Sequence, residues 1–268
     1  MRIALLFAAL LSGCSTAPAP VMSWDAYSRL QLSWPYVISI DPAGPGELFY
    51  FGAAHTFDPA DPQIARIEEA WREFRPDIAF TEGGFPPFEA SRDQAVSKHG
   101  ESGLLRYLAA RDNVPTTTLD PTRADEVAAL RSRFSREQIK LFFLLRAVSQ
   151  FVQRNGPDRA GAEVERILPI YAAAPGLSGS PRSLSELEAA YEDLFPAGGR
   201  YVDVQPAWFD PARSGTLLNE IARASSDYRD RFVVERLASH VREGRRVFAV
   251  MGGSHVVMQE PALRDRLR

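Results

Sequence analysis

A single cysteine, Cys14, stands among 268 residues, so no disulfide can close within the chain and no thiolate cluster can hold a metal. Histidine is nearly as scarce: His55, His99, His240 and His255 are all there are. Neither sign of charge dominates. Lys and Arg total 31 against 34 Asp and Glu, a net charge of -3, which offers no basic field to a nucleic acid. Zinc-finger spacing, RNA-binding aromatic motifs and long basic stretches are missing too, so no nucleic-acid partner is expected. Also missing are Gly-x-Ser-x-Gly, a P-loop and His-Glu-x-x-His, and the pairs Gly83-Gly84 and Gly252-Gly253 are too sparse to cradle a nucleotide. What remains is ordinary globular composition, 45% hydrophobic and 24% charged, with enough chain to bury a large core.

The first residues read as an address. Met1-Arg2 is a brief positive start, and residues 3–11 form an apolar run too short to span a bilayer but patterned as a secretory signal. The run ends in Leu11-Ser12-Gly13-Cys14, which resembles the bacterial lipobox, where a lipidated cysteine becomes the first residue of the mature protein. Acyl chains contribute about 0.8 kcal/mol per buried CH₂, so a multiply acylated Cys14 would anchor firmly in a lipid bilayer. Ser15 in place of aspartate resembles lipoproteins sorted to the outer membrane, facing the periplasm. The expected organisation is a signal over 1–14, a tether over 15–23 and one domain over 24–268, with a helical insert at 122–199.

Within the domain one phrase occurs twice. Leu48-Phe49-Tyr50-Phe51-Gly52-Ala53-Ala54-His55 and Phe248-Ala249-Val250-Met251-Gly252-Gly253-Ser254-His255 are each an apolar run followed by Gly-x-x-His. Such runs suit strands buried on both faces, and Gly52 and Gly252 leave room at their ends. Residues 36–40 and 48–51 read as a hairpin around the turn chemistry of 41–46. A helix opens at Asp61-Pro62, and residues 78–81 form the next strand, with Glu82 at its end, giving a βαβ unit of parallel neighbours. Residues 85–100 read as a loop and 101–111 as a helix, and 114–119 is a β-rich run ending at Asp120. From 122 to 194 the pattern is helical, with Ser135 and Gln138 as a capping box and an almost wholly apolar stretch at 141–145. Residues 24–34 suit a short helix, 216–243 a long one, and 247–251 the last strand. The fold class expected is α/β: a central mixed, largely parallel sheet of two similar halves, helices on its faces, and a helical insert or lid.

The histidines of the repeated phrase fall just past strand ends, where open α/β sheets place ligands. His55 and His255 with Glu82 and Asp120 make a nitrogen and oxygen donor set suited to zinc, manganese, cobalt or iron. A metal there could lower the pKa of bound water and polarise a carbonyl. Glu82 is then either ligand or general base. Glu101 is explained equally well as a helix-start charge. In Tyr228-Arg229-Asp230-Arg231-Phe232, one arginine could face a developing oxyanion, although a solvated charged face accounts for the spacing too. His99 in a polar region and His240 near the end of a helix fit no site.

The paired Gly-x-x-His motifs, Glu82 after an apolar strand, the Leu119-Asp120 acid and the late Arg-Asp-Arg-Phe helix resemble the TraB/GumN/TIKI superfamily, from about Tyr36 to His255. The resemblance implies an α/β core, metal-dependent hydrolysis of peptide or amide bonds with manganese, cobalt or zinc, metal ligands among His55, Glu82, Asp120 and His255, and catalytic roles for Glu82 and Arg229. It implies a peptide or small-molecule substrate. ChaN-like lipoproteins and erythromycin esterases share the broader likeness. They suggest a second expectation, a haem- or iron-binding lipoprotein with Phe85, Phe88 and Tyr107 lining the pocket. A third is an envelope lipoprotein whose site is idle.

Overall fold

Apolar runs set the sheet. The computed structural model describes residues 19–84, 86–179, 181–197 and 199–268. Its five strands are β1 (Tyr36–Ile40), β2 (Glu47–Ala53), β3 (Ile78–Thr81), β4 (Thr116–Thr118) and β5 (Arg246–Gly252). They lie in the order β1-β2-β5-β3-β4; β1 is antiparallel to β2 and every other pairing is parallel. The fold is α/β, as the sequence pattern implies. One arrangement differs from the pattern. β2 and β3 are not neighbours, because the C-terminal strand β5 lies between them. Val247 to Met251 are each no more than 2% exposed, and so apolar a strand gains most at the centre, covered on both faces.

The helices are α1 (Trp24–Tyr27), α2 (Pro62–Phe74), α3 (Arg92–Arg111), α4 (Arg123–Leu130), α5 (Arg136–Asn155), α6 (Ala160–Ala173), α7 (Leu184–Leu194), α8 (Leu217–Arg242) and α9 (Gly253–Arg266). Alternation along the strands divides the sheet's contacts. Phe51, Phe248 and Val250 meet Ile64, Ile67 and Trp71 of α2 and Leu104 and Leu108 of α3 on one face. Tyr50, Ala249 and Met251 meet Val233, Leu237 and Val241 of α8 and Val256 and Leu263 of α9 on the other. Burying each such side chain contributes roughly 1.5–3 kcal/mol. As expected, Asp61 caps α2, and Ser135 with Gln138 forms a capping box on α5.

The helical block has a core of its own, built from α4 to α7 with Leu218, Ile221 and Ala222 of α8. Helix α8 has 26 residues and runs about 39 Å at 1.5 Å per residue. Its first turns belong to the block and its last turns to the sheet. Arg229 and Asp230 fall where it passes from one core to the other.

Three boundaries move. α1 is a single turn rather than a helix over 24–34. α3 starts at Arg92, inside the expected loop, because Ser91 accepts the Gln94 N–H as a cap; Gly100, at φ 60°, breaks the helix where residue 101 was expected to begin it. His99 therefore stands on a helix. Residues 19–23, expected as tether, lie along α9: the Ala19 N–H donates to Asp265 and the Met22 N–H to the Met258 carbonyl, each at 2.8 Å. The expected signal, Cys14 and residues 15–18 lie outside the described residues. Among the described residues no helix is long and apolar enough to cross a membrane.

Candidate active site

Four parallel strands end on one edge of the sheet, and each is followed there by a polar side chain. His55 comes two residues after β2, Glu82 directly after β3, Asp120 two residues after β4, and His255 in the first turn of α9 after β5. Register pairs Ala53 with Gly252, so the two Gly-x-x-His segments run side by side, staggered by one residue. Both first glycines are required by close approach. A Cβ on Gly52 would meet the Tyr36 carbonyl oxygen at 2.6 Å and the Gly253 Cα at 2.9 Å. A Cβ on Gly252 would stand 3.0 Å from His55 Nε2 and 3.3 Å from Glu82 Oε2, inside the site itself.

Glu82 is the hub. Its Oε2 accepts the Gly252 N–H at 2.6 Å and lies 3.8 Å from His55 Nε2; its Oε1 accepts from Arg229 at 3.1 Å. Burial alone would raise its pKa, but His255, Arg229, His55 and the Gly252 N–H outweigh burial and bring it to about 2. The group is a carboxylate at any physiological pH.

Each imidazole has a carboxylate behind it. His55 Nδ1 lies 3.5 Å from Glu101 Oε2, and the other oxygen of Glu101 accepts the Thr56 N–H at 2.7 Å. The Glu101 contact raises the His55 pKa against the opposing effect of burial, and Glu82 adds to the rise. His255 Nδ1 lies 2.7 Å from Asp230 Oδ1. Burial pushes the His255 pKa down, yet Asp230 outweighs it and the net shift is upward. Asp230 is itself held: Gln259 Nε2 donates to Oδ1 at 2.7 Å, and the Tyr50 hydroxyl donates to Gln259 Oε1 at 2.9 Å. With Nδ1 taken on both rings, Nε2 is the nitrogen left for chemistry. The His55 side chain is 63% exposed and forms the mouth of the site; the His255 side chain is 13% exposed.

Asp120 and Arg229 complete the group. Arg229 donates to Asp120 Oδ1 at 2.6 and 3.0 Å, and the other Asp120 oxygen accepts the Gly83 N–H at 2.9 Å. Arg231 is exposed on the same helix. His99 pairs with Glu89, and the His240 ring lies against Phe80; neither joins the group. Of the aromatic residues considered for haem, Phe85 lies outside the described residues, Phe88 is exposed and Tyr107 packs against the α2 and α3 core. Asp230 was not singled out in the sequence, although it sits inside the Arg-Asp-Arg motif read for its arginines.

Two imidazole Nε2 atoms and the Glu82 carboxylate are, in kind, a donor set for a divalent ion. With bonds of ~2.0–2.2 Å, two ligands of a tetrahedral ion stand ~3.4 Å apart, so the 3.8 Å between His55 and Glu82 needs a few tenths of an ångström of closure. Among the described residues no three His, Cys, Asp or Glu side chains form a ready-made cage. Charge favours a cation as well. Among the described residues, Glu82, Asp120, Glu101 and Asp230 form ion pairs with one guanidinium, Arg229, and two imidazoles. Asp120 fits less well as a ligand: Glu82 lies 3.8 Å from His55 Nε2, whereas among the described residues Asp120 pairs with Arg229 and with neither imidazole. No family model, no curated protein and no solved structure matches this chain.

Proposed function

We propose that this edge of the sheet is the active site of a metal-dependent hydrolase of peptide or amide bonds, held at the cell envelope by acylated Cys14. The observation that carries the reading is the matched pair of imidazoles at one sheet edge: each has Nδ1 beside a carboxylate, and Glu82 lies 3.8 Å from His55 Nε2. Carboxylate-backed histidines orient metal ligands and bases alike.

In this reading His55, His255 and Glu82 would hold a divalent ion, which supplies a water of lowered pKa and a charge that polarises a carbonyl. The remaining work falls to the chain. The two Glu82 oxygens divide the work: Oε2, beside His55 Nε2, is the ligand atom, and Oε1, beside Arg229, orients the attacking water by accepting its hydrogen bond. Arg229, beside Glu82, faces the negative charge that grows on the carbonyl oxygen. Asp120 fixes the guanidinium in place. Asp230 and Glu101 hold the rings. The experiment is amine release from a panel of short peptides with manganese, cobalt or zinc added. Release by the wild type and none by Glu82→Gln is expected; no release with any of the three metals contradicts the reading.

A further inference from the structure

A cavity of about 400 Å³ opens between the sheet edge and the helical block. Glu82, Asp120 and Arg229 form its floor, while α4, α5 and α6 supply its other walls. The volume is within the range of small-ligand sites and holds about a dozen water-sized groups, the size of a dipeptide.

The charges along its wall are unevenly matched. Arg229 is committed to Glu82 and Asp120. Arg123 donates to Glu126 at 2.7 Å and lies 4.0 Å above the Phe143 ring. Arg146 lines the same cavity, half-buried, and no hydrogen bond or ion pair reaches its guanidinium among the described residues. Burial, then the neighbouring Arg229, lowers its pKa, and Glu126 and Glu82 only partly offset this. The Tyr171 hydroxyl on α6 lines the cavity and also has no hydrogen-bond partner among the described residues. Partly desolvated guanidinium groups are ordinarily paired, since an unpaired one loses hydration without compensation.

We propose that this cavity seats the carboxylate of the substrate, with the Arg146 guanidinium as its fork and the Tyr171 hydroxyl as a further donor. A monoanion is favoured over a phosphate dianion, because among the described residues one uncommitted cation stands beside three acids, Glu82, Asp120 and Glu126. The binding claim stands on the cavity; the cleavage claim rests on the hydrolase reading above. On that reading the substrate is a short peptide cut near its C-terminus. Water's hydroxyl joins the acyl carbon, the C–N bond breaks, and a proton passes to the departing amine.

The test uses the full chain and two probes, N-acetyl-Ala-Ala as the free acid and as the C-terminal carboxamide, with binding measured by calorimetry. The wild type should prefer the acid by at least about tenfold, the worth of hydrogen bonds to a charged group. Arg146→Met should erase that preference while its Tm stays level or rises, and Arg146→Lys should keep part of it. Equal binding of acid and carboxamide by the wild type overturns the proposal, as does an undiminished preference in Arg146→Met. So does stronger competition by inorganic phosphate than by acetate. Acid preference without amine release leaves the carboxylate seat standing and removes the hydrolase; amine release without acid preference does the reverse.

Discussion

Asp230 Oδ1 lies 2.7 Å from His255 Nδ1, and the Asp230 side chain is fully buried. With no Lys or Arg paired to it among the described residues, the carboxylate has the imidazole as its ionic partner, so it sets the tautomer and aim of the ring. Asp230→Asn keeps the shape and removes the charge. Metal affinity should fall roughly 10–100-fold, the usual cost of losing such a backing group. Equilibrium metal titration of the wild type and variant checks this; unchanged affinity would mean that Asp230 does not aim a ligand.

Gly252 donates its N–H to Glu82 and leaves empty the space where a methyl would press on His55. Its φ of -53° is one that any residue adopts, so the effect of Gly252→Ala is steric and local. Turnover should drop by about 10²-fold, the scale of a displacement near 1 Å, with only a small change in Tm. Gly44→Ala, with nothing within 4 Å of the new methyl, is the control and should match the wild type in both measurements.

Arg229 holds two carboxylates together at the carboxyl ends of β3 and β4. Arg229→Met leaves them facing each other without a cation. Removing one partner from a buried ionic group costs about 3–5 kcal/mol, which urea denaturation at pH 7 can resolve. The deficit should shrink as pH falls, because Glu82, without the guanidinium that helps to hold its pKa down, takes up a proton more readily. A deficit that persists unchanged at pH 4 would point to lost packing instead.

Glu82 predicts a pH window for the chelator-treated protein. Its folded pKa of about 2 lies below its ordinary 4.5, so the ionised group stabilises the fold above pH 4.5. That stabilisation disappears as pH falls towards 2. Over this window the wild type should lose on the order of 3 kcal/mol more than Glu82→Gln does. Parallel stability curves for the two would show that the native state does not favour the charged form.

Much of this was legible in the sequence because it depends on local pattern. The repeated Gly-x-x-His marks two strand ends, Asp61-Pro62 marks a helix start, and Glu82 directly follows an apolar strand. What was not legible depends on distant parts of the chain meeting. Nothing in residues 47–81 tells that β5 will enter between β2 and β3. Glu101 read as a helix-start charge, and only the folding of α3 beside residues 54–57 turns it towards His55 and Thr56. Asp230 lies next to Arg229 in sequence, yet the turn of α8 sends one to His255 and the other to Asp120. Arg146 directly follows the apolar stretch 141–145 and nothing in the sequence marks it; its lack of a partner among the described residues appears only with the cavity around it.

The central claim is that His55 and His255, 200 positions apart, serve a single centre at Glu82. The most direct test is the metal content, after cobalt reconstitution and desalting, of the wild type, His55→Ala and His255→Ala. The account predicts one ion per chain in the wild type and almost none in either variant, because each ring is a ligand of the same ion. Full metal content in both variants would contradict it.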